Sequence, residues 1–370
     1  GFTVSSDVSS EDLFALRYGA IVVETDAEKG AQWARQLNAV AVVAQTIEEP
    51  AAVAGDVRIS LSELQAAWEK TLSRIFPLQS QSADGSAELP LYTTYGPKRS
   101  ESFGKPRVFI PVCPGTNCEY DSADAFEAAG AVTDTFIIRN ETPQALEDSI
   151  EEMKKRIGQA QIIMFPGGFS AGDEPEGSGK FIATLFRNPA LAEALESLLY
   201  KRDGLVLGVC NGFQALIKLG LLPYGHIQPL KADSPTLTYN TIGRHLSRMV
   251  DTKVVSVMSP WFANVKAGDI HTVAISHGEG RFVASPEQIR QLAAKGQIAT
   301  QYVDLNGKAT YDSTFNPNQS VFAVEGITSP DGRVLGKMAH TERYTGETMF
   351  RNIDGNKVQP IFAAGTEYFK

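Results

Sequence analysis

The 370-residue chain is 43% apolar, 21% charged and 9% aromatic, with a formal net charge of −9. It is long enough for two or three domains with separate cores, and its acidic balance argues against nucleic acid or an anionic membrane as the main partner. No apolar run approaches the roughly 20 residues that span a bilayer, no signal peptide opens the chain, and three cysteines without metal-ligand spacing suggest free thiols in a reducing, cytoplasmic setting.

The chain opens GFTVSSDVSSEDLFALRYGAIVVE without an initiator Met, so a fragment or a processed piece of a longer polypeptide is expected. Residues 1–77 read as a small α+β segment. Its strands are expected at 20–24 and 39–44 and its helices at 27–37 and 62–75. The second helix begins after a Ser60 or Ser62 cap and carries Leu64, Trp68, Leu72 and Ile75 near one face. This segment holds no chemical cluster, and the first His of the chain is His226. Residues 78–104, rich in Ser, Gly and Pro and without periodicity, read as a surface linker.

From residue 105 to 370 a further domain is expected, and it starts with a repeating βα pattern. Strands are predicted in RVFIPVCP, VTDTFIIR, QIIMFPGG and LVLGVC, with helices at 122–129, 143–157 and 180–202 between them. Such alternation implies a parallel sheet covered by helices on both faces. Sites in these sheets form at the carboxyl ends of the strands. The strand-end motifs PGTNC, PGGFS and GVCNG are therefore expected to converge on one edge. After Pro223 the texture changes to short strand-like runs at 237–239, 253–258, 272–276, 298–303, 320–327 and 334–338, read as a mixed or antiparallel extension.

The stretch LVLGVCNGFQAL, residues 205–216, concentrates the chemistry. An apolar strand runs into Gly208-Val209-Cys210-Asn211-Gly212, and helical spacing starts at Phe213. A strand-to-helix elbow of this kind strains its central residue, and small neighbours leave that side chain open to attack. The helix N-terminus also favours a thiolate. Cys210 is thus the candidate nucleophile. Cys118, in PGTNCEYD, is the rival without a glycine elbow, and Cys113 lies in a strand.

A cysteine nucleophile needs a base, and the base an orienting group. His340 closes the strand VLGKMA, and Glu342 follows two residues on, so an extended backbone turns both side chains to one face. His277, in SHGEGRF, competes through Glu279. Its flanking glycines suggest a tight loop near a ligand, and His277 is read as substrate-binding. The two glycines Gly167 and Gly168, preceding Phe169 and Ser170, allow a backbone N–H to serve as an oxyanion donor, and the N–H of Asn211 is the natural second one. Gln214, one helical turn past Cys210, is placed to touch a bound substrate.

These residues resemble the triad-type glutamine amidotransferases. More narrowly, 106–355 is similar to the C-terminal part of the large formylglycinamide ribonucleotide amidotransferases (phosphoribosylformylglycinamidine synthases) of purine biosynthesis. The narrower likeness rests on PGTNCEYD, FPGGFSAGD, GVCNGFQAL, NTIGRHLSRMV, SHGEGRF, QYVD, NPNQS, AVEGI and HTER. It implies a flavodoxin-like α/β glutaminase domain with Cys210 as nucleophile, His340 as base and Glu342 as its orienter. Gly168 and Asn211 would line the oxyanion hole, and Gln214, His277 and Phe169 would bind glutamine. It implies no metal or cofactor in this chain, with ATP and Mg²⁺ serving the complete enzyme. It also implies a synthetase portion as partner, in the same polypeptide or as a separate chain, with residues 1–77 as the tail of the synthetase domain. Thr341 stands where the family usually has Pro, and Gln319 where Gly is usual. Two other classes stay open: a cysteine hydrolase using the same elbow on another substrate, and a non-catalytic glutamine-sensing module.

Overall fold

The computed structural model describes residues 1–37, 42–96, 99, 102, 104–172, 178–344, 346 and 350–370. The chain divides into two units, Gly1–Leu78 and Gln79–Lys370.

In the first unit, β1 (Phe2–Val4), α1 (Ser10–Phe14), α2 (Ala27–Leu37), β2 (Ala44–Thr46), β3 (Ala51–Ala54), β4 (Val57–Ser60) and α3 (Leu61–Lys70) follow in order. The strands form one sheet in the order β2-β1-β3-β4. A reciprocal capping box between Ser60 and Glu63 starts α3. The strand expected at 20–24 does not form: Ile21 and Val22 are 85% and 83% exposed, and among the described residues no strand pairs with them. Of the strand expected at 39–44, residues 39–41 lie outside the described residues, and β2 starts at Ala44. The helix expected to reach residue 75 ends at Lys70.

The second unit realises the βα alternation. Its first half runs β5 (Arg107–Val112), α4 (Glu119–Ala128), β6 (Val132–Ile137), α5 (Pro143–Gln159) and β7 (Ile162–Phe165). Next come α6 (Lys180–Phe186), α7 (Pro189–Tyr200), β8 (Leu205–Val209), α8 (Asn211–Lys218) and α9 (Leu221–Tyr224). The single helix expected over 180–202 is split, because Asn188 caps a new helix that has Pro189 in its first turn. The second half holds β9 (Thr236–Thr238), β10 (Leu246–Val254), β11 (Ile270–His277), β12 (Arg281–Val283), α10 (Pro286–Ala294), β13 (Ile298–Val303), β14 (Val324–Thr328), β15 (Val334–Lys337) and α11 (Ile361–Glu367).

Nine strands form one sheet in the order β11-β10-β13-β14-β15-β8-β7-β5-β6. From β15 to β6 every neighbour is parallel. From β15 outward to β11 every neighbour is antiparallel. The fold is thus the expected α/β class, with a parallel half and an antiparallel extension meeting at β15. Strands β7 and β8 are wholly buried, as their unbroken apolar runs require when helices cover both faces. No helix among the described residues is long and apolar enough to cross a membrane.

Residues 79–96 are more than a linker. Ala87 and Leu89 are buried in the second unit, Gln301 donates to the Ala87 carbonyl at 2.7 Å, and Lys253 pairs with Glu88 at 3.1 Å. The polar composition concealed these spaced anchors. Residues 97, 98, 100, 101 and 103 of the expected linker, and 173–177 of the loop after PGGFS, lie outside the described residues.

The elbow depends on close backbone packing. A Cβ placed on Gly212 would sit 2.1 Å from the Phe165 carbonyl oxygen of β7, an atom that cannot swing aside. Gly212→Ala is therefore expected to cost about 1–3 kcal/mol, the usual range for overpacking. Urea unfolding checks this, with an unchanged midpoint as the contrary result.

Candidate active site

The parallel order of β5, β7 and β8 carries their following loops to one edge. There Asn117 and Cys118 donate backbone N–H groups to the Gly167 carbonyl, and Thr116 bridges to Gly168. Cys210 stands between β8 and α8 with φ 52 and ψ −105, a backbone conformation rare for a residue with a side chain. Such strain persists only when its surroundings enforce it. The Cys210 N–H donates to the Lys337 carbonyl at 2.8 Å, and the Gln214 N–H donates back to the Cys210 carbonyl at 3.0 Å. The N–H groups of Asn211 and Gly212 open α8, where no intrahelical acceptor exists for them.

His340 and Glu342 approach from the end of β15, the parallel neighbour of β8. The His340 N–H is anchored to the Ala274 carbonyl at 2.7 Å, after which the chain turns in a 3₁₀ helix over Thr341–Arg343. His340 Nδ1 lies 2.6 Å from Glu342 Oε1, and both side chains are buried. His340 Nε2 is buried with no hydrogen-bond partner among the described residues. Burial by itself would push the His340 pKa down, but the Glu342 carboxylate and the nearby Cys210 thiol outweigh it and hold the imidazole well above its ordinary value. Burial likewise opposes ionisation of Glu342, and the His340 charge overcomes it and keeps the carboxyl below its ordinary value.

This electrostatic balance gives a signed expectation. In Glu342→Gln the largest upward influence on His340 is gone and only the weaker influences of Cys210 and Cys118 oppose burial, so the imidazolium deprotonates at lower pH. The alkaline limb of kcat/KM should move down in pH. An alkaline limb that stays in place would show that Glu342 does not set the charge of His340.

Cys118 enters the same site, which its motif did not reveal. Its Sγ lies 3.7 Å from His340 Nδ1, and the Arg343 guanidinium donates to it at 3.4 Å. A Cβ on Gly167 would fall 2.6 Å from His340 Cε1 and 3.2 Å from Cys118 Sγ, so only glycine lets the PGG turn lie against both. Cys118 therefore faces the nitrogen that Glu342 already occupies. Cys113 is buried beyond the end of β5, and burial pushes its thiol up to about 12.

The other expected site residues divide. Gly168 has φ 141, a conformation open to glycine, and a Cβ there would meet the Asn117 N at 2.7 Å. Asn211 accepts weakly from the Ser170 N–H at 3.4 Å and donates to Gln214 Oε1 at 3.2 Å. Gln214 also donates to the Glu279 carbonyl at 2.7 Å, so its amide ties the elbow helix to the SHGEG loop. His277 is buried inside that loop, its Nδ1 is 3.2 Å from Asn240 Oδ1, and a Cβ on Gly280 would strike its ring. Burial, helped by the charges of His340 and His245, pulls its pKa down to about 3, so it is neutral at physiological pH. Phe169 is exposed, with its ring centroid 6.1 Å from that of His245.

Of the two departures from the resembled pattern, Gln319 adopts φ 60, where glycine is favoured. Its side chain compensates by donating to the Tyr311 and Asn316 carbonyls at 2.8 and 2.9 Å and accepting from the Ala83 N–H at 3.2 Å. The Thr341 hydroxyl accepts from Lys337 Nζ at 2.8 Å and donates to Gln359 Oε1 at 2.7 Å. Among the described residues, one group combines potential metal ligands, namely Cys118, His340 and Glu342. One thiol, one imidazole and one carboxylate do not suit Mg²⁺, which takes oxygen ligands, so no step here is routed through that ion.

A cysteine on a strained strand-to-helix turn, beside a buried imidazole–carboxylate pair, defines the cysteine-nucleophile class of acyl-transfer and hydrolytic sites. Residues 105–369 match the CobB/CobQ-like glutamine amidotransferase domain, and the chain belongs to that family. It is a glutamine amidotransferase. It is 36% identical over 245 residues to phosphoribosylformylglycinamidine synthase subunit PurQ of Methanococcus maripaludis, covering 64% of this chain and 82% of that protein. The subunit of the same name from Aquifex aeolicus is 31% identical over 249 residues, covering 66% of this chain and 94% of its own length. Among solved structures, that of PurLQS from Thermotoga maritima matches with a TM-score of 0.51 and 25% identity, covering 72% of this chain and all of the matched chain.

Proposed function

We propose that the chain is the glutaminase part of phosphoribosylformylglycinamidine synthase and that it acts through Cys210, His340 and Glu342. The observation that carries this reading is the divided use of the His340 ring: Glu342 takes Nδ1, and the buried Nε2 has no hydrogen-bond partner among the described residues. Proton exchange with Cys210 is assigned to that nitrogen. The Cys210 thiolate attacks the side-chain amide carbon of glutamine, and the developing oxyanion is received by the N–H groups of Asn211 and Gly168. The tetrahedral intermediate collapses with cleavage of the C–N bond. His340 protonates the departing nitrogen, so ammonia leaves and a γ-glutamyl thioester remains. Neutral His340 then takes a proton from water as it attacks the thioester. Glutamate is released and the thiolate and imidazolium are restored. Gln214, His277 and Phe169 shape the glutamine pocket, His277 as the neutral support of the Gly278–Gly280 turn.

The ammonia would serve ATP-dependent conversion of formylglycinamide ribonucleotide to its amidine in a synthetase portion, joined to this chain or separate from it. The first unit supports the view that it is the tail of such a domain. It lies outside the family match. Ala51 is its single buried apolar residue among those described, whereas Phe14, Leu16, Tyr18 and Trp68 are exposed at 85%, 85%, 95% and 77%. Seventy-odd residues that bury so little cannot offset the entropy of ordering, so further chain is expected to cover them.

The test supplies the 370-residue chain with glutamine, ATP, Mg²⁺ and formylglycinamide ribonucleotide, then repeats the assay with ammonium replacing glutamine. The expected result is equimolar glutamate and ammonia from glutamine, with amidine formed only after a synthetase portion is added. Amidine from this chain alone would overturn the division of labour, and absence of glutamine hydrolysis even with the synthetase portion would overturn the site.

A further inference from the structure

The turn that presents His340 is held by a buried lysine. Lys337, the last residue of β15, has a fully buried side chain whose Nζ donates to the Ala339 carbonyl at 2.9 Å and to the Thr341 hydroxyl at 2.8 Å. Those two acceptors flank His340 on either side. Glu325 of β14 completes the frame: its Oε1 accepts from the Ala339 N–H at 2.7 Å and lies 3.7 Å from Lys337 Nζ. Thr300 of β13 donates to the other Glu325 oxygen, and Gln359 accepts from the Thr341 hydroxyl at 2.7 Å. With the His340 N–H bound to Ala274, polar groups before, at and after His340 are all anchored.

We propose that Lys337 and Thr341 are positioning residues, a buried clamp that sets the His340–Glu342 pair at its working distance from Cys210. A buried ion pair costs desolvation energy that an apolar pair would avoid. The expense has a use here, because the lysine reaches two points of an irregular turn that no sheet ladder can hold. The same Nζ also lies near enough to Glu342 to favour its charged form, so the clamp supports the pair electrostatically as well as sterically. The charged and titratable groups around Lys337 are Glu325, Glu342 and His271, the last kept neutral by burial and by the lysine charge, with a pKa near 4.

This inference rests on His340 acting as the base, and the variants keep the two claims separate. Thr341→Val retains shape and removes the hydroxyl, whereas Thr341→Ser keeps it. In the full chain, assayed for glutamate release, Thr341→Val should lose about 10–100-fold in kcat, the scale set by a misplacement of about 1 Å. Its KM for glutamine should stay within about threefold, because substrate contacts are untouched. Thr341→Ser should restore most of the rate, and the alkaline limb in Thr341→Val should move to lower pH as the His340–Glu342 pair loosens. Gln359→Leu breaks the far side of the clamp and should show the same kcat loss in weaker form, which keeps the test open if Thr341→Val does not fold. Equal rates in wild type, Thr341→Val and Gln359→Leu, or a loss carried by KM, would overturn the clamp. If His340→Ala kept wild-type activity in the same assay, the reading of the base would fail first. A dead His340→Ala beside an unaffected Thr341→Val would remove the clamp alone.

Discussion

Replacing Cys210 with Ala is expected to reduce glutamine hydrolysis by about 10⁴-fold or more, the scale seen when the nucleophile is taken from a cooperating triad. Without the thiolate no glutamyl thioester forms, and the remaining N–H donors can polarise only a bound amide. Cys118→Ala is the decisive comparison, since Cys118 Sγ is 3.7 Å from the same imidazole. That thiol faces Nδ1, which Glu342 holds at 2.6 Å, and it lacks the strained elbow backbone of Cys210. Its removal deletes contacts to His340 and Arg343; a loss of about 1 kcal/mol in transition-state stabilisation would be only roughly fivefold in rate. Steady-state glutamate production from the two variants checks this. The assignment fails if Cys118→Ala is the inactive enzyme.

His340→Ala is expected to lower kcat by about 10²–10⁴-fold, the contribution of a positioned general acid–base group. The ammonia leaving group then lacks its proton donor and the attacking water its acceptor. His277→Ala should differ in kind. Its imidazole is buried, neutral and bonded to Asn240, so the variant loosens the loop that Gln214 holds by the Glu279 carbonyl. The loss should appear mainly as a higher KM. A His277 variant slower than the His340 variant at saturating glutamine would exchange the two roles.

Much of this arrangement is legible in the chain itself, because local rules agree with one another there. An apolar run that can only be a buried strand meets a glycine-flanked cysteine and then a helical pattern, and the structure builds β8, the strained Cys210 and α8 in that order. The spacing His-x-Glu marks a pair that does meet, but not through the expected extended strand: β15 ends at Lys337, and a 3₁₀ helix over Thr341–Arg343 brings Glu342 to His340. Contacts assembled from distant segments leave no such trace. The approach of Cys118 to His340 depends on β5 and β7 being neighbours, so that Gly167 can lie against both. Lys337 reads as an ordinary strand residue until its partner across the β14–β15 pair is known to be Gly326, whose neighbour Glu325 lies 3.7 Å from Lys337 Nζ. In the first unit, residues 20–24 have the composition of a strand, but among the described residues no strand pairs with them and their side chains stay exposed.

The central claim is that glutamine becomes bound through its γ-carbonyl carbon to Cys210. The most direct measurement is alkylation of the full chain with a glutamine-like diazoketone, followed by intact-mass analysis and peptide mapping, with free glutamine as competitor. One adduct per chain on the peptide that carries Cys210, suppressed by glutamine and absent from Cys210→Ala, is the predicted result. Label on Cys118, or label that glutamine does not suppress, would contradict it.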